Sequence, residues 1–307
     1  MKRLDRRGTL KTLGAVATTT VFSSHSLGMA NSISKPIRLG VIADLHGGLA
    51  VDAESRLDAF LRAMKDENCD ALVQMGDFAY PNAKHQRFAD RFNAEHDQTI
   101  HVIGNHEFDY GLKRQDCYKA WGIEASYYRR DIAGLRVLVL DGNDTGSPTH
   151  GGGYPSFIGK PQQQWLRREL DAADGPLIIL SHQPLAGTSA VDNAEEIQKL
   201  LNPFRSKIVA CVNGHSHVDA LIQMDGINYL HVNSASYYWV GGKTRMAYYA
   251  KPLFTTLTFD PKSETVSVAS SESDWKDKSP KEIGYFDSKN RPPESIVVPR
   301  ISRRTLS

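Results

Sequence analysis

The sequence has few cysteines and no long apolar run. Cys69, Cys117 and Cys211 are the only cysteines among 307 residues. They are too few and too scattered for a disulfide framework, and their odd number leaves at least one unpaired. Cys69 and Cys211 lie beside predicted strands, so we expect buried thiols, and none of the three has metal-ligand spacing. No stretch is apolar enough to span a bilayer, so no stable membrane anchor is expected.

The sequence also lacks an excess of one charge. Its formal net charge is +2, and the first eleven residues alone contribute +4, so the rest of the chain carries −2. This balance excludes a broadly basic face, and no nucleic-acid polymer is expected as a partner. With 40% hydrophobic and 23% charged residues, the chain has the composition of a globular protein with a large core.

Residues 1–30 have the pattern of an export signal. The pair Arg6-Arg7 lies in a basic start, residues 13–22 are mildly apolar, and Gly28-Met29-Ala30 offers small residues for cleavage. This segment resembles a twin-arginine signal, with Thr9 where that pattern usually has Phe. A generic secretory signal and a disordered basic tail are the alternatives. The resemblance implies the twin-arginine export machinery as a partner and a periplasmic or secreted protein, without a lipoprotein cysteine.

The remainder alternates predicted strands and helices, interrupted by hairpins. Strands are predicted at 36–43, 70–75, 100–103, 177–180 and 208–212, helices at 52–68, 86–96, 161–170 and 195–201, and hairpins within 127–140, 221–230 and 253–268. This order predicts one α/β domain of two packed sheets over residues 31–270. The polar tail, residues 271–307, is expected to pack on that domain or to fray.

Polar side chains follow five of the predicted strands. In an open α/β sheet, ligands bind beyond the carboxyl ends of the strands. Carboxylates, imidazoles and amide oxygens are also the groups that borderline divalent metals bind. Singly, each residue has an ordinary explanation, such as a turn aspartate or a buried core histidine. Together they predict a metal site formed by Asp44, His46, Asp77, Asn105, His106, His182, His215 and His217.

The order Asp-x-His, Gly-Asp, Gly-Asn-His-Glu, His, Gly-His-x-His resembles the calcineurin-like metallophosphoesterase superfamily, in its exported phosphatase or cyclic-nucleotide phosphodiesterase branch. The resemblance implies a two-sheet α/β sandwich flanked by helices, with a dinuclear metal centre at the strand ends. One ion would take Asp44, His46 and His217, and His106 would be catalytic rather than a ligand. The other ion would take Asn105, His182 and His215, with Asp77 bridging both. Two divalent or mixed-valence ions are implied, with Fe, Mn and Zn all open.

The resemblance implies metal-dependent hydrolysis of phosphate esters. A hydroxide bridging two ions would attack phosphorus in line, and His106 would protonate the leaving group. We expect a phosphomonoesterase, while a cyclic-nucleotide or other phosphodiesterase stays open because the metal centre is common to both. A non-catalytic interaction module on the same fold is disfavoured, because every ligand and His106 are present.

Four further residues are candidates near this site. Glu107 would orient an imidazole or be a solvated loop carboxylate. Tyr80 completes a Gly-Asp-x-x-Tyr pattern similar to that of purple acid phosphatases, whose tyrosine binds ferric iron. Because His46 stands where their first motif has Gly, we expect Tyr80 near the site or in the core, not as a ligand. The long Gly-rich loop 141–159 places His150 and Tyr154 in contact with substrate, or is simply flexible.

Overall fold

The computed structural model describes residues 34–241, 245–285 and 292–307, so the predicted export signal lies outside the described residues. Within them the chain forms sixteen strands and five α-helices. The strands are β1 (Ile37–Ile42), β2 (Ala71–Gln74), β3 (Thr99–His101), β4 (Tyr128–Ile132), β5 (Leu135–Leu140), β6 (Leu177–Ser181), β7 (Ile208–Asn213), β8 (Ala220–Met224), β9 (Ile227–His231), β10 (Tyr237–Trp239), β11 (Met246–Tyr248), β12 (Thr255–Asp260), β13 (Thr265–Val268), β14 (Ser271–Glu272), β15 (Arg300–Ile301) and β16 (Arg304–Leu306). The helices are α1 (Ala53–Glu67), α2 (Gln86–Glu95), α3 (Arg114–Trp121), α4 (Lys160–Asp171) and α5 (Ala194–Leu201), with 3-10 helices at His106–Gly111 and Asn202–Phe204.

The fold is built on two six-stranded sheets, whose strand orders are β16-β13-β12-β1-β2-β3 and β4-β5-β6-β7-β9-β8. In the first sheet β1, β2 and β3 are parallel neighbours, and Ile42, Gln74 and His101 are register partners at the same level. In the second, β6 and β7 are parallel, and Ser181 lies opposite Asn213. Parallel neighbours end at the same edge, so the segments that follow these strands begin side by side.

The two sheets pack against each other and are covered by helices on their outer faces. Apolar side chains from both sheets form one buried cluster, which includes Val41, Val73, Ile100, Val137, Ile178 and Val212. Helices α1 and α2 cover the first sheet, and α4 and α5 cover the second. Strands buried on both faces appear in the sequence as continuous apolar runs, which is why they could be located there. The predicted α/β sandwich flanked by helices is confirmed.

The segment after β2 differs from the sequence-based expectations. Strand β3 ends at His101, and the unpredicted helix α3 follows the 3-10 helix. Only Cys117, Ala120 and Trp121 of α3 are buried, against Ile103, so its apolar pattern is too short to stand out. Of the two alternatives for the tail beyond residue 270, packing on the domain is the one that the described residues show, since β16 pairs with β13. Isolated apolar residues make this packing, and they do not stand out in a segment whose composition is mostly polar.

The cysteines and the helices agree with two simple expectations. Cys69, Cys117 and Cys211 are all free and buried, which confirms the buried thiols predicted at two of these positions. None of the helices in the described ranges has both the length and the apolar character needed to cross a bilayer.

Candidate metal centre

The five predicted strand ends meet at one place. Their ligand atoms form three groups, each within 4.8 Å: Asp44, His46 and His217; His46, Asp77 and His106; and Asp77, His182 and His215. His46 and Asp77 each belong to two groups and therefore link them. Residues after β1, β2 and β3 of one sheet thus face residues after β6 and β7 of the other. The assignment of each residue to a particular ion stays a prediction.

One half of the centre is built from Asp44, His46 and His217. His217 Nε2 lies 3.1 Å from Asp44 Oδ1 and 3.3 Å from His46 Nε2. His217 Nδ1 lies 2.7 Å from the Tyr237 carbonyl oxygen, which can only accept, so Nδ1 carries the hydrogen. The Tyr237 ring stacks on His46 with 4.8 Å between ring centroids. Tyr237, which the sequence analysis did not identify, therefore orients both imidazoles.

The other half is built around His182. Its Nε2 lies 3.2 Å from Asp77 Oδ2, from Asn105 Oδ1 and from His215 Nδ1. Its Nδ1 donates to the Met75 carbonyl oxygen at 2.9 Å, which leaves Nε2 directed into the group. A backbone carbonyl thus fixes the tautomer of this histidine, as it does in the first half.

These donors fit two metal ions. His217 and His182 each keep a hydrogen on Nδ1, so Nε2 is the nitrogen that faces the neighbouring oxygen and nitrogen atoms. Acceptor atoms that converge at about 3 Å repel one another unless a proton or a metal cation lies among them. The set contains imidazole nitrogen, carboxylate oxygen and amide oxygen, which suits borderline ions such as Zn, Mn or Fe.

The protonation of the centre also favours cations. Burial lowers the pKa of His46 and of His215 to about 3, so both imidazoles are neutral at pH 7, as metal ligands must be. Burial alone would raise the pKa of Asp77, but His182 and His106 outweigh it and hold that pKa well below its usual range. Burial would lower the pKa of His182, yet Asp77 and Asp44 raise it to about 10. The two carboxylates therefore attract positive charge to this point.

Several of the same residues have an unusual backbone conformation. Among the predicted ligands, five have a left-handed backbone, with φ between 48° and 66°: Asp44, His46, Asp77, His215 and His217. Each such residue costs on the order of 1 kcal/mol or more, and strained residues concentrate at functional sites. A Cβ at Gly104 would lie 2.3 Å from Asp77 N, and one at Gly214 would lie 2.5 Å from Asp44 Oδ2. Only glycine permits these close approaches.

Glu107 has a different role from either one expected. It is buried, and its carboxylate accepts hydrogen bonds from the backbone amides of Asp77, Phe78 and Gly104 at 2.8–3.0 Å. It orients no imidazole by hydrogen bonding in the described structure, and it is not solvated. Burial, with the nearby Asp77, raises the pKa of Glu107 to about 8. Its contacts tie the turn after β2 to the turn after β3.

His106 is held by Asp109, a residue that the sequence analysis missed. His106 Nδ1 donates to Asp109 Oδ2 at 2.8 Å, and the His106 backbone N–H donates to Asp77 Oδ1 at 2.8 Å. Burial alone would lower the pKa of His106, but Asp77 and the bonded Asp109 outweigh it and raise it to about 9. The sequence shows only a carboxylate three residues after the histidine, which does not by itself predict the contact.

The remaining candidates lie at different distances from the centre. The Tyr154 hydroxyl donates to Asp109 Oδ1 at 2.5 Å, and its ring centroid lies 5.1 Å from that of His106. Tyr80 lines the same cleft as His46 and His106, and its hydroxyl lies 3.5 Å from Asp109 Oδ2. His150 instead lies 3.9 Å from Asp192. Tyr154 and Tyr80 therefore adjoin His106, whereas the contact found for His150 is with Asp192.

Comparisons with known proteins agree with this arrangement. Residues 37–219 match the family model of calcineurin-like phosphoesterases. The structure is similar to that of a dimetal phosphatase from Danio rerio, with a TM-score of 0.55 and 17% identity over 76% of this chain and 95% of that chain. It is also similar to GAP50, the anchor in the inner membrane complex of Plasmodium, with a TM-score of 0.55 and 12% identity over 80% and 86%. These identities show a shared fold alone. A search of curated proteins finds no match.

The matched region covers more than half of the chain and contains every strand end that meets at the centre. The resemblance inferred from the motifs is thereby confirmed. The chain belongs to the calcineurin-like phosphoesterase family and is a metal-dependent phosphoester hydrolase.

Proposed function

We propose that this protein hydrolyses phosphate monoesters and that His106 protonates the leaving group. The observation that carries the proposal is the pairing of His106 with Asp109 at the border of the ligand cluster. A hydrolase of this type needs one set of groups for water and phosphorus and a separate proton donor for the departing alkoxide. The ligand cluster and His106 provide those two parts.

The proposed ligands divide between two ions. Asp44, His46 and His217 would hold one, and Asp77 would be shared. Asn105, His182 and His215 would hold the other. When bound, such ions supply Lewis-acid activation of water and neutralise charge on the phosphoryl group.

His106 acts through its protonation state and its orientation. With a pKa raised to about 9, its imidazole carries a proton at neutral pH and is an acid rather than a base. Because Nδ1 is bound to Asp109, Nε2 is the nitrogen left to give its proton to the leaving-group oxygen. Asp109 then stabilises the orientation in which that transfer occurs.

The cleft is lined by residues that include His46, Asp77 and His106, so a phosphate ester bound there lies against both the ligand cluster and the proposed proton donor. Monoesters are the substrate class that we propose. Cyclic nucleotides and other diesters remain the alternative class, because the proposed ligands serve either reaction.

The experiment compares ethyl phosphate, p-nitrophenyl phosphate, bis-p-nitrophenyl phosphate and cyclic nucleotides on metal-loaded protein. Higher kcat/KM on both monoesters than on the diesters supports the proposal, and the reverse order contradicts it. Asp77→Asn is the matched variant, since it should reduce metal content at both sites and abolish turnover. Two metals per chain retained in Asp77→Asn would argue against a shared carboxylate.

We also propose that the protein reaches the periplasm or the exterior by twin-arginine export. The support is the Arg6-Arg7 pair with the weakly apolar stretch behind it. Replacing both arginines with lysine should leave the precursor in the cytoplasm, which fractionation and immunoblotting would detect. Normal export of that variant would rule out this route.

A further inference from the structure

The cleft beside the metal centre has an apolar part that the hydrolytic reaction does not use. Besides His46, Asp77 and His106, its lining includes the side chains of Leu49, Ala79 and Tyr80. The described residues that line it include no lysine or arginine. Beyond the phosphoryl position and His106, the cleft therefore offers apolar residues and, in the described lining, no lysine or arginine.

Tyr110 extends this apolar surface toward solvent. Its ring centroid lies 5.3 Å from that of Tyr80, and the two rings meet edge to face at 80°. Tyr110 is 87% exposed, although large aromatic side chains are normally covered. Tyr110 is not itself in the cleft lining, but it contacts Tyr80, which is, and an exposed aromatic ring in that position is a candidate contact for a ligand.

Neither burial nor backbone conformation accounts for a tyrosine at position 110. Its φ is 60° and its ψ is 21°, a left-handed conformation that favours glycine or asparagine. The Tyr110 side chain is hydrogen-bonded to that of Tyr80, but its ring fills no part of a buried apolar cluster. The exposed face of its ring is the feature left to explain.

We propose that Tyr80 and Tyr110, together with Leu49 and Ala79, bind a flat aromatic leaving group of the phosphate monoester. This inference rests on the proposed function, because the leaving group must depart beside His106, which lines the same cleft. An aromatic leaving group gains edge and face contacts with the two tyrosine rings. A leaving group with a second phosphate or a carboxylate would meet no lysine or arginine among the described lining residues.

The test uses two esters whose leaving alcohols have similar basicity, ethyl phosphate and 2-phenylethyl phosphate. The chemical step is then equivalent, and a difference in kcat/KM reports binding of the phenyl ring. We expect kcat/KM to be roughly tenfold higher for the phenylethyl ester, the size of a modest aromatic contact. Tyr110→Asn, which tolerates the left-handed backbone, should bring this ratio close to one.

Two matched variants control the comparison. Tyr110→Phe keeps the ring and should keep the ratio. Val51 is 99% exposed but is not in the cleft lining, so Val51→Asn should also keep it. A ratio near one in the wild-type protein, or an unchanged ratio in Tyr110→Asn, would overturn the proposed subsite. Equal kcat/KM for hexyl and phenylethyl phosphate would overturn its aromatic preference.

Binding measurements separate this inference from the proposed function. Calorimetry on metal-loaded protein with ethylphosphonate and 2-phenylethylphosphonate needs no turnover. Tighter binding of the phenylethyl compound, lost in Tyr110→Asn, supports the subsite even if no ester is hydrolysed, in which case only the proposed reaction fails. Hydrolysis of both esters with no preference in either assay removes the subsite and leaves the reaction intact.

Discussion

At the scale of single residues, His106 differs from its neighbours in what it contacts. His182 and His217 donate through Nδ1 to backbone carbonyls, whereas His106 donates to the carboxylate of Asp109. A carbonyl fixes an orientation, but a carboxylate also stabilises the protonated imidazole. His182 is also stabilised in its protonated form, by Asp77, but through the Nε2 that faces the ligand cluster, whereas Asp109 binds Nδ1 of His106.

Replacing His106 with alanine should therefore affect chemistry and not metal binding. General acid catalysis contributes typically ~10²–10⁴-fold, and more for basic leaving groups. We expect a loss of that order on ethyl phosphate and a smaller loss on p-nitrophenyl phosphate, whose leaving group departs without a proton. Metal analysis and steady-state kinetics on both esters measure this. Metal loss would make His106 a ligand, and equal losses on both esters would remove the general-acid role.

Asp109→Asn should change the pH dependence of catalysis. Asp77 and Asp109 raise the pKa of His106 to about 9 against the effect of burial, so removing one carboxylate lowers that pKa. The acid form is then lost at lower pH, and the alkaline limb of the kcat profile on ethyl phosphate should move down. Tyr154→Phe is the control, because it breaks a hydrogen bond to Asp109 but keeps the charge. An alkaline limb at the same pH in Asp109→Asn would mean that another group controls it.

At the scale of elements, the site lies at the ends of parallel strands. The residues that meet there could be predicted because each follows an apolar run, and parallel strands end at a common edge. Asp109 could not, since its contact depends on an extended conformation within the 3-10 segment, with φ −58° and ψ 151°. The amide contacts of Glu107 likewise depend on how two turns from different strands pack together. Such local geometry leaves no periodic pattern in the sequence.

Strand β16 packs on the domain, although the polar composition of the tail gave no sign of a strand there. Leu306 is fully buried and pairs opposite Val266, while Arg304 and Ser302 contact the buried Asp219. An apolar side chain in such a position stabilises the fold wherever it lies in the chain.

Leu306→Ala should lower the free energy of unfolding by about 2–4 kcal/mol, through lost burial and the cavity that remains. Thr305→Ala, at the exposed neighbouring position, is the control and should change it far less. Urea unfolding followed by circular dichroism gives both values. Equal effects of the two substitutions would show that the end of the chain contributes no packing.

At the scale of the whole molecule, the centre joins the two sheets. Asp44, Asp77 and Asn105 follow strands of the first sheet, and His182, His215 and His217 follow strands of the second. Ions held between them would bind the folded chain and not the unfolded one. Such binding adds stability as the ratio of free ion to Kd rises, about 4 kcal/mol at a thousandfold excess.

Removing the ions with a chelator should therefore lower the midpoint temperature of unfolding. The difference in midpoint between metal-loaded and metal-free protein should grow with pH. In metal-free protein, burial lowers the pKa of His182, but Asp77 and Asp44 raise it to about 10, above its ordinary value of 6.5. A group with a raised pKa contributes stability that is complete below 6.5 and is lost as pH rises through about 10. In metal-loaded protein His182 would be deprotonated at all three pH values, so this pH-dependent loss is absent. Thermal unfolding at pH 6, 7.5 and 9, with and without chelator, measures the difference, and a deficit that shrinks with pH would contradict it.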